Sequence, residues 1–333
     1  MAETIAPREI LRDLLQGNTP ARPLFVPIVF KLGARVENLP LRTFLNNPTK
    51  ISNALRQIRG RLRSDGVSCY FDPFLEAEAL GATLEWASEN QSPTLRWPVA
   101  TEHGWLPTDP ATAEDAVKRG RIPVALEVIR RLKMLQRDES LLIVGVSGPL
   151  TLAARLTGLV GPQATMHEDL PESALEVTSS MILQLSKTFA EAGANLVFLR
   201  EEILPTLGEL GAEDWASMLM PIFNVIRFYE ALPVLQIKNE RAFEGNSGVI
   251  ARLARDCVVC PTLEAVRNLS AEVRGQIQGA RLGVALSTES LAHDQQLGRV
   301  IRDVRPALVT TAEDIAATDL KGLAAISEVV RKC

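Results

Sequence analysis

Short apolar runs rich in β-branched residues recur along this chain, and longer amphipathic stretches separate most of them. The runs predict eight strands, near residues 23–30, 66–71, 140–146, 195–199, 233–237, 256–260, 281–286 and 307–310. Strand then helix, repeated in this way, is typical of a parallel α/β sheet closed on itself. The 333 residues show no convincing internal repeat or low-complexity linker. The sequence therefore predicts one domain over residues 1–333, a (β/α)8 TIM barrel.

Helical periodicity fills the segments between the runs. An amphipathic helix opens at Pro7, and Asn47 is the expected cap of the next long helix. Further helices are predicted at Pro48 to Leu62, Pro123 to Gln136, Glu172 to Ala192, Asp214 to Ala231 and Leu320 to Arg331. The segments 82–86 and 93–97 alternate apolar and polar residues around a turn. They predict a β-hairpin insertion after the second strand.

Charge and cysteine content narrow the function classes. A formal charge of −4 gives no electrostatic reason to expect nucleic acid or an anionic membrane as partner. The acidic start lacks the apolar core of a signal peptide, and no apolar run approaches the roughly 20 residues of a membrane span. The cysteines are too few and scattered for a disulfide framework; they are Cys69, Cys257, Cys260 and Cys333. We expect a soluble, cytoplasmic protein.

Charged and polar side chains follow the predicted strands, at the end of a parallel sheet where ligands bind. These positions are Lys31 and Arg35, Asp72, residues 147–149, Arg200 with Glu201 and Glu202, residues 236–240, 261–262, 287–289 and Thr310 with Thr311. Lys31, Arg35, Arg155, Arg200 and Lys238 can hold a ligand with several carboxylates. Asp72 can then position an NH group or donate a proton. The structural alternative, that these charges pair with one another, is equally consistent with the sequence.

Other chemistry-bearing residues favour structural roles. Cys257 and Cys260 have C-x-x-C spacing, but they lie in an apolar strand without a second pair, which favours core cysteines. His103, His167 and His293 follow none of the predicted strands, which favours the surface. For one member of the Glu201 and Glu202 pair, a role as general acid and an ion pair with Arg200 remain equally open. The apolar residues of WASMLMPIFNVIRF recur at helical spacing and are expected to pack.

Several segments, in order, resemble one known family. They are REILRDLLQG, RPLFVPIVF, KLGAR, NPTKISNALRQIRGRLRSDGVSCYFDP, EAEALGATLEW, VGVSGPLTLAARLTG and AGANLVFLREE. With this order and spacing the chain resembles the uroporphyrinogen decarboxylase superfamily over nearly its whole length. That superfamily has the (β/α)8 barrel fold and also contains methyltransferases that move methyl groups between corrinoids and thiols. The resemblance implies the fold, whereas activity depends on the site.

Compared with the decarboxylases, the chain keeps part of the site. Asp72 resembles their pyrrole-NH-binding carboxylate, and Arg35 resembles one of their two carboxylate-binding arginines. Lys31 replaces the other arginine and loses its bidentate fork. Arg155 stands where the decarboxylases have a tyrosine. Their C-terminal Gly-His pair is missing, because the matching segment PALVTTAED offers Thr310 and Thr311 instead.

The methyltransferases of this superfamily activate a thiol on zinc, held by a His-x-Cys pair after the fifth strand and a later cysteine. Here PVLQIKNE places Gln236 and Lys238 at the pair, and VTTAED lacks the later cysteine. Glutamine and lysine do not supply the imidazole and thiolate ligands that zinc prefers. We therefore predict no metal site and no cofactor of the protein's own.

The working hypothesis is a decarboxylase-like carboxy-lyase that binds a tetrapyrrole or other multi-carboxylate ligand at the carboxyl end of the barrel. Asp72 and Arg35 would carry the chemistry; Lys31, Arg155, Arg200, Glu201, Gln236, Lys238 and Thr310 would bind substrate. One alternative is a zinc-independent, corrinoid-linked methyltransferase. A second is a non-catalytic barrel that binds a tetrapyrrole or corrinoid. A homodimer is expected from the resemblance alone.

Overall fold

The fold is that of a computed structural model, which describes residues 5–96, 111–136, 139–159, 170–203, 209–238, 247–271, 275, 281–288, 294–315 and 320–331. The predictions for His103, His167, His293 and Cys333 concern residues outside these ranges. Among the helices within them, none combines the length and apolar character that crossing a membrane requires.

Parallel strands form the centre of the molecule. The strands are β1 (Leu24–Phe25), β2 (Gly66–Tyr70), β3 (Thr83–Glu85), β4 (Thr94–Arg96), β5 (Leu141–Ser147), β6 (Leu196–Glu201), β7 (Leu232–Ile237), β8 (Val258–Pro261), β9 (Gly283–Leu286) and β10 (Leu308–Thr311). One sheet has the order β2-β5-β6-β7-β8, and a second has the order β1-β10-β9. Every neighbouring pair in both sheets is parallel. The predicted parallel α/β architecture is confirmed.

Backbone contacts link the two sheets. Isolated parallel bridges join Val259 to Leu282 and Thr262 to Ala285, between β8 and β9. On the other side, the Asp65 N–H just before β2 donates to the Phe25 carbonyl of β1 over 2.9 Å. The strands of the two sheets thus follow one another in chain order, so their carboxyl ends lie at one edge.

Most helices lie between successive strands. The helices are α1 (Pro7–Gln16), α2 (Leu32–Val36), α3 (Leu41–Leu45), α4 (Pro48–Leu62), α5 (Leu75–Ala79), α6 (Ala111–Ala116), α7 (Ile122–Gln136), α8 (Pro149–Thr157), α9 (Glu172–Ala192), α10 (Glu209–Phe228), α11 (Ser247–Leu253), α12 (Leu263–Asn268), α13 (Asp294–Val304) and α14 (Leu320–Arg331). Of these, α1 precedes β1, and α14 follows β10. All residues of β2, β5, β6 and β7 are buried. This is the pattern of a parallel sheet covered on both faces.

The first strand is shorter than its apolar run. The sequence predicts a strand over residues 23–30, but only Leu24–Phe25 pair as one. Pro27 has no N–H to donate to a neighbouring strand. Beyond it, backbone N–H groups donate to side chains instead of to strand carbonyls. The Ile28 N–H donates to Thr311 Oγ1 over 3.0 Å, and the Phe30 N–H donates to Asp314 Oδ1 over 2.7 Å. This stretch is therefore held at the carboxyl edge by side chains.

The alternating segments between β2 and β5 do form a pair. β3 and β4 are antiparallel, with Thr83 opposite Arg96 and Glu85 opposite Thr94. Arg96 also donates to the Glu85 carboxylate over 2.9 Å across the exposed face. Residues within the pair are exposed and half-buried in alternation, as the sequence pattern indicates.

Candidate active site

A small cavity lies at the carboxyl ends of β2, β5 and β6. Its walls are Phe71, Asp72, Pro73, Gly145, Val146, Ser147, Arg155, Arg200 and Glu202. Its volume is about 10 Å³, which is room for roughly one water molecule. The space is small because the charged side chains at its mouth contact one another. Asp72, Arg155 and Arg200, predicted as site residues, are all brought together here.

The alternation of side chains along β6 decides which acidic residue faces this cavity. Successive strand residues point to opposite faces, so Arg200 and Glu202 lie on one side and Glu201 lies on the other. Arg200 Nη2 is 2.8 Å from Glu202 Oε1, so of the two alternatives left open for this glutamate pair, the structure contains the ion pair, and it is made by Glu202. Arg155 Nη2 donates to the second oxygen of the same carboxylate.

Both arginines at the cavity are also held by other groups. Arg155 Nη1 donates to the Pro73 carbonyl over 2.9 Å and to Ser147 Oγ over 2.8 Å. Arg200 Nε donates to Gln236 Oε1 over 2.9 Å, and its guanidinium lies 5.9 Å from the centre of the Phe71 ring. Two cations therefore face one carboxylate at the cavity.

Those cations determine the ionisation of Glu202. Burial opposes the charged form, but the Arg200 and Arg155 guanidinium groups outweigh it and hold the pKa of Glu202 below its usual value. The carboxylate is ionised at neutral pH and serves as the counter-ion of both arginines.

Asp72 is engaged in a buried ion-pair network. One of its oxygens binds Arg121 Nη1 in a short contact, and the other accepts the Phe74 N–H over 3.0 Å. Arg121 Nε donates to Glu78 Oε2 over 2.7 Å. Burial opposes the arginine charge, yet the Asp72 and Glu78 carboxylates raise the pKa of Arg121. Asp72 thus lies at the cavity as an ion-paired carboxylate.

A second buried carboxyl lies behind the cavity. Glu76 of α5 is fully buried and accepts the Ser147 N–H over 2.7 Å and the Ser147 hydroxyl over 3.2 Å. Burial raises the pKa of the Glu76 carboxyl to about 7, although the Ser147 N–H and the Arg155 charge oppose the shift. Ser147 thereby connects this carboxyl to Arg155, so a proton at Glu76 affects the charge balance of the cavity.

The Glu201 carboxylate is hydrogen-bonded to the first turn of helix α8. Its oxygens accept the Thr151 N–H over 2.9 Å, the Thr151 hydroxyl over 2.7 Å and the Trp215 indole N–H over 3.2 Å. Burial raises the pKa of this carboxyl, while those donors oppose the shift. The glutamate thus caps the amino end of α8, where unpaired N–H groups attract an acceptor. Trp215 is fully buried, as expected for a packing residue.

Gln236 and Lys238, which stand at the positions that the resemblance assigned to a zinc-binding pair, have other partners here. Both ends of the Gln236 amide are used, because Oε1 accepts from Arg200 and Nε2 donates to the Thr311 carbonyl over 2.9 Å. Lys238 is exposed and its ammonium group lies 3.7 Å from Glu313. Across the described part of the chain, no group of three or more His, Cys, Asp or Glu side chains is placed to bind a metal.

The remaining predicted residues lie away from the cavity. Lys31 lies just before α2 as its N-cap, and its ammonium group donates to Ser92 Oγ over 3.0 Å at the surface. Arg35 is exposed in the same helix. Thr310 is fully buried, and its hydroxyl donates to the Val26 carbonyl over 2.8 Å. None of the three lines the cavity.

The prediction that Cys257 and Cys260 are core cysteines is confirmed. Cys69, Cys257 and Cys260 are free and fully buried. Burial raises the pKa of all three thiols, so they remain protonated and unreactive at neutral pH.

The chain is similar to known proteins of one family. A model of the family described as Uroporphyrinogen decarboxylase (URO-D) matches residues 6–233. Methylcobamide:CoM methyltransferase MtaA of Methanosarcina barkeri is 25% identical over 128 residues, which are 38% of this chain and 37% of that protein. Methylated-thiol–coenzyme M methyltransferase of Methanosarcina mazei is 27% identical over 154 residues, covering 45% of this chain and 40% of that protein. The matched segments thus span less than half the length of these relatives.

A solved structure shares the fold over almost the whole chain. A methyltransferase from Methanosarcina mazei superposes with a TM-score of 0.76 at 17% identity, covering 98% of this chain and 99% of that chain. The similarity at this identity concerns the fold alone. Because the family model spans most of the chain, the protein belongs to the uroporphyrinogen decarboxylase (URO-D) family.

Proposed function

We propose that the protein is a methyltransferase that moves a methyl group to or from a corrinoid without a thiol-activating zinc ion. The similarity to two coenzyme M methyltransferases carries this proposal, since they are named for methyl transfer and one of them for a methylcobamide. The decarboxylase-like lyase of the working hypothesis has no comparable support beyond the family itself.

The size of the cavity favours separate binding places for the two substrates. A volume of about 10 Å³ is far too small for a corrinoid, which would therefore present its methyl group at the mouth. The smaller reaction partner would bind against Arg155 and Arg200. In a transfer from the corrinoid, a thiol partner would release its proton to solvent and its sulfur electron pair would form the new bond to the methyl carbon, while cobalt would keep the electrons of the broken bond. The protein's own contribution is to orient the partner and stabilise its negative charge.

The arrangement of Asp72 also bears on the choice of reaction. In a decarboxylase-like site this carboxylate would bind pyrrole NH groups. Here one oxygen is committed to Arg121 and the other to the Phe74 N–H. If Asp72 turned away to bind a ligand, the buried Arg121 charge would keep only Glu78 as its partner. Loss of one partner from a buried ion pair is energetically costly. The network favours a structural task for Asp72.

We also propose that the chain forms one closed barrel. The eight parallel strands would close into one (β/α)8 barrel with β3 and β4 as an insertion after β2. The link between β1 and β2 and the bridges between β8 and β9 support closure. A closed barrel would surround the cavity with the loops at the carboxyl edge.

The test is an anaerobic reaction of the purified protein with methylcobalamin and coenzyme M, following absorbance as the cobalt is reduced to cob(I)alamin. We expect a rate that depends on the protein and does not change when a zinc chelator is added. Arg200→Met should reduce this rate at least about tenfold, because the charge and its hydrogen bonds at the cavity are lost. Arg252→Ala, in an exposed ion pair with Glu213, is the matched control and should keep the rate.

Two outcomes would contradict the proposal. A rate abolished by the chelator would show that a metal takes part after all. No reaction of methylcobalamin with coenzyme M, and no methylation of cob(I)alamin by methyl-coenzyme M in the reverse direction, would exclude corrinoid methyl transfer with this thiol.

A further inference from the structure

The cavity holds an anion-binding arrangement that is filled by the protein's own carboxylate. Glu202 lies between Arg155 and Arg200, with one oxygen toward each guanidinium group. Shared carboxylates of this kind are bound through charge-assisted hydrogen bonds, which are stronger than neutral ones. Glu202 thus occupies the position that an external carboxylate would take.

The two arginines do not depend on Glu202 for their positions. Arg155 is fixed by the Pro73 carbonyl and the Ser147 hydroxyl. Arg200 is fixed by the Gln236 amide and by the Ala312 carbonyl, 3.2 Å from its Nη2. These neutral acceptors orient both guanidinium groups and leave N–H groups directed at one carboxylate. Such pre-organisation lowers the cost of binding an anion, because no ordering of the arginines remains to be done.

Glu202 is also the group best placed to leave. Its side chain is 22% exposed, compared with 11% for Arg155 and for Arg200. It lies just after the end of β6, whereas Arg200 is within the strand. With Glu202 in place the cavity has room for roughly one water, so any organic molecule must displace a side chain.

We propose that Glu202 is an internal ligand of an anion subsite, and that the small substrate carries a carboxylate or sulfonate group that replaces it between Arg155 and Arg200. This rests on the proposed function only in assigning the cavity to the small substrate. Exchange of one singly charged anion for another keeps the charge of the cavity constant. An uncharged molecule would leave two largely buried guanidinium groups without a counter-ion, which is unfavourable.

The experiment is calorimetric titration with sodium propionate at constant ionic strength, comparing the wild type with Glu202→Ala and Glu202→Gln. Without the competing carboxylate, the subsite is available in every molecule, and the dissociation constant should fall about tenfold or more. Adding Arg155→Met to Glu202→Ala should abolish the gain. Glu213→Ala, which removes an exposed carboxylate from Arg252, should leave propionate binding as in the wild type.

Equal propionate affinity in the wild type and the Glu202 variants would overturn the subsite, as would a gain that survives Arg155→Met. Glu202→Gln keeps the shape of the side chain, so it serves if the alanine variant does not fold. The readout does not require methyl transfer. Propionate binding as expected without any corrinoid reaction would overturn the proposed function and leave the subsite standing; the converse would overturn the subsite alone.

Discussion

At the scale of single residues, the cavity depends on carboxyl groups whose surroundings give them different charges. Glu202 is ionised between two arginines, whereas burial raises the pKa of Glu76 to about 7. The two are connected through Ser147 and Arg155. A proton taken up by Glu76 near neutral pH removes one negative charge from behind the cavity without changing the side chains that line it.

The raised pKa of Glu76 makes the stability of the protein fall as pH rises. Its carboxyl is protonated in both states below about pH 4, but between there and about pH 7 only the folded state keeps the proton. The free energy of unfolding therefore decreases over this window and is lower by about 3 kcal/mol above it. Glu76→Gln removes this titration and can keep the contacts with Ser147.

Denaturant unfolding at a series of pH values measures the effect. The stability of Glu76→Gln relative to the wild type should increase by about 3 kcal/mol between about pH 4 and pH 8. A difference that stays constant over this range would show that the Glu76 carboxyl does not titrate in the folded protein near neutrality.

Asp72 offers a second prediction at this scale. Asp72→Asn removes the charge opposite Arg121 in a buried pair, and the unfolding free energy should fall by about 3 kcal/mol. Asp115→Asn breaks an exposed pair with Lys118 and should leave stability unchanged in the same denaturation assay. Equal effects of the two substitutions would mean that the Asp72 pair is not buried in solution.

Some of these residues could be predicted from the sequence, and others could not. Asp72, Arg155 and Arg200 follow strands or belong to the resembling segments, and all three line the cavity. The period of two along β6 was a usable signal that places Glu202 beside Arg200 rather than Glu201. Arg121 is paired with Asp72 from 49 residues away, and no local pattern marks such a partner.

At the scale of elements, the start of α8 is fixed by a carboxylate from a neighbouring strand. Glu201 at the end of β6 accepts N–H groups of the first helical turn, and Gly148 leaves the space for it. A Cβ atom at Gly148 would lie 2.1 Å from the carboxyl carbon of Glu201. The φ angle of Gly148 is −70°, so the glycine is required by this close approach and not by its backbone conformation.

Gly148→Ala should therefore force Glu201 away from α8 and lower the unfolding free energy by about 3 kcal/mol. Gly60→Ala is the matched control, because nothing lies within 4 Å of the added Cβ in helix α4. It should stabilise the protein by roughly 0.5 kcal/mol, since alanine favours a helix interior. Loss of stability in both variants, measured by thermal or denaturant unfolding, would contradict the role of the close approach.

Element boundaries were predicted best where local signals act alone. Helix α4 runs over Pro48–Leu62 as expected, and the Asn47 side chain accepts the Lys50 N–H over 3.1 Å as its cap. Helix α9 also has its predicted bounds, Glu172–Ala192. The predicted extent of strand β1 is wrong because the backbone beyond Pro27 is hydrogen-bonded to side chains of residues 311 and 314. That exchange depends on the tertiary fold and has no local sequence signature.

At the scale of the whole molecule, the α/β order could be predicted because the hydrophobic period changes repeatedly along the chain. Function could not be predicted in the same way, since the family shares one fold among several activities. The departures at Gln236 and Lys238 are informative here. Neither side chain is an imidazole or thiolate, which are the ligands that zinc prefers, while Arg200 and Arg155 provide positive charge at the same edge of the sheet.

One side-by-side assay distinguishes methyl transfer from decarboxylation by this protein. The purified protein is incubated anaerobically with uroporphyrinogen in one reaction and with methylcobalamin and coenzyme M in the other, and the products of both are identified by mass spectrometry. We expect methyl-coenzyme M in the second reaction and no coproporphyrinogen in the first. Release of coproporphyrinogen, with methylcobalamin left unchanged, would contradict it and establish the protein as a decarboxylase.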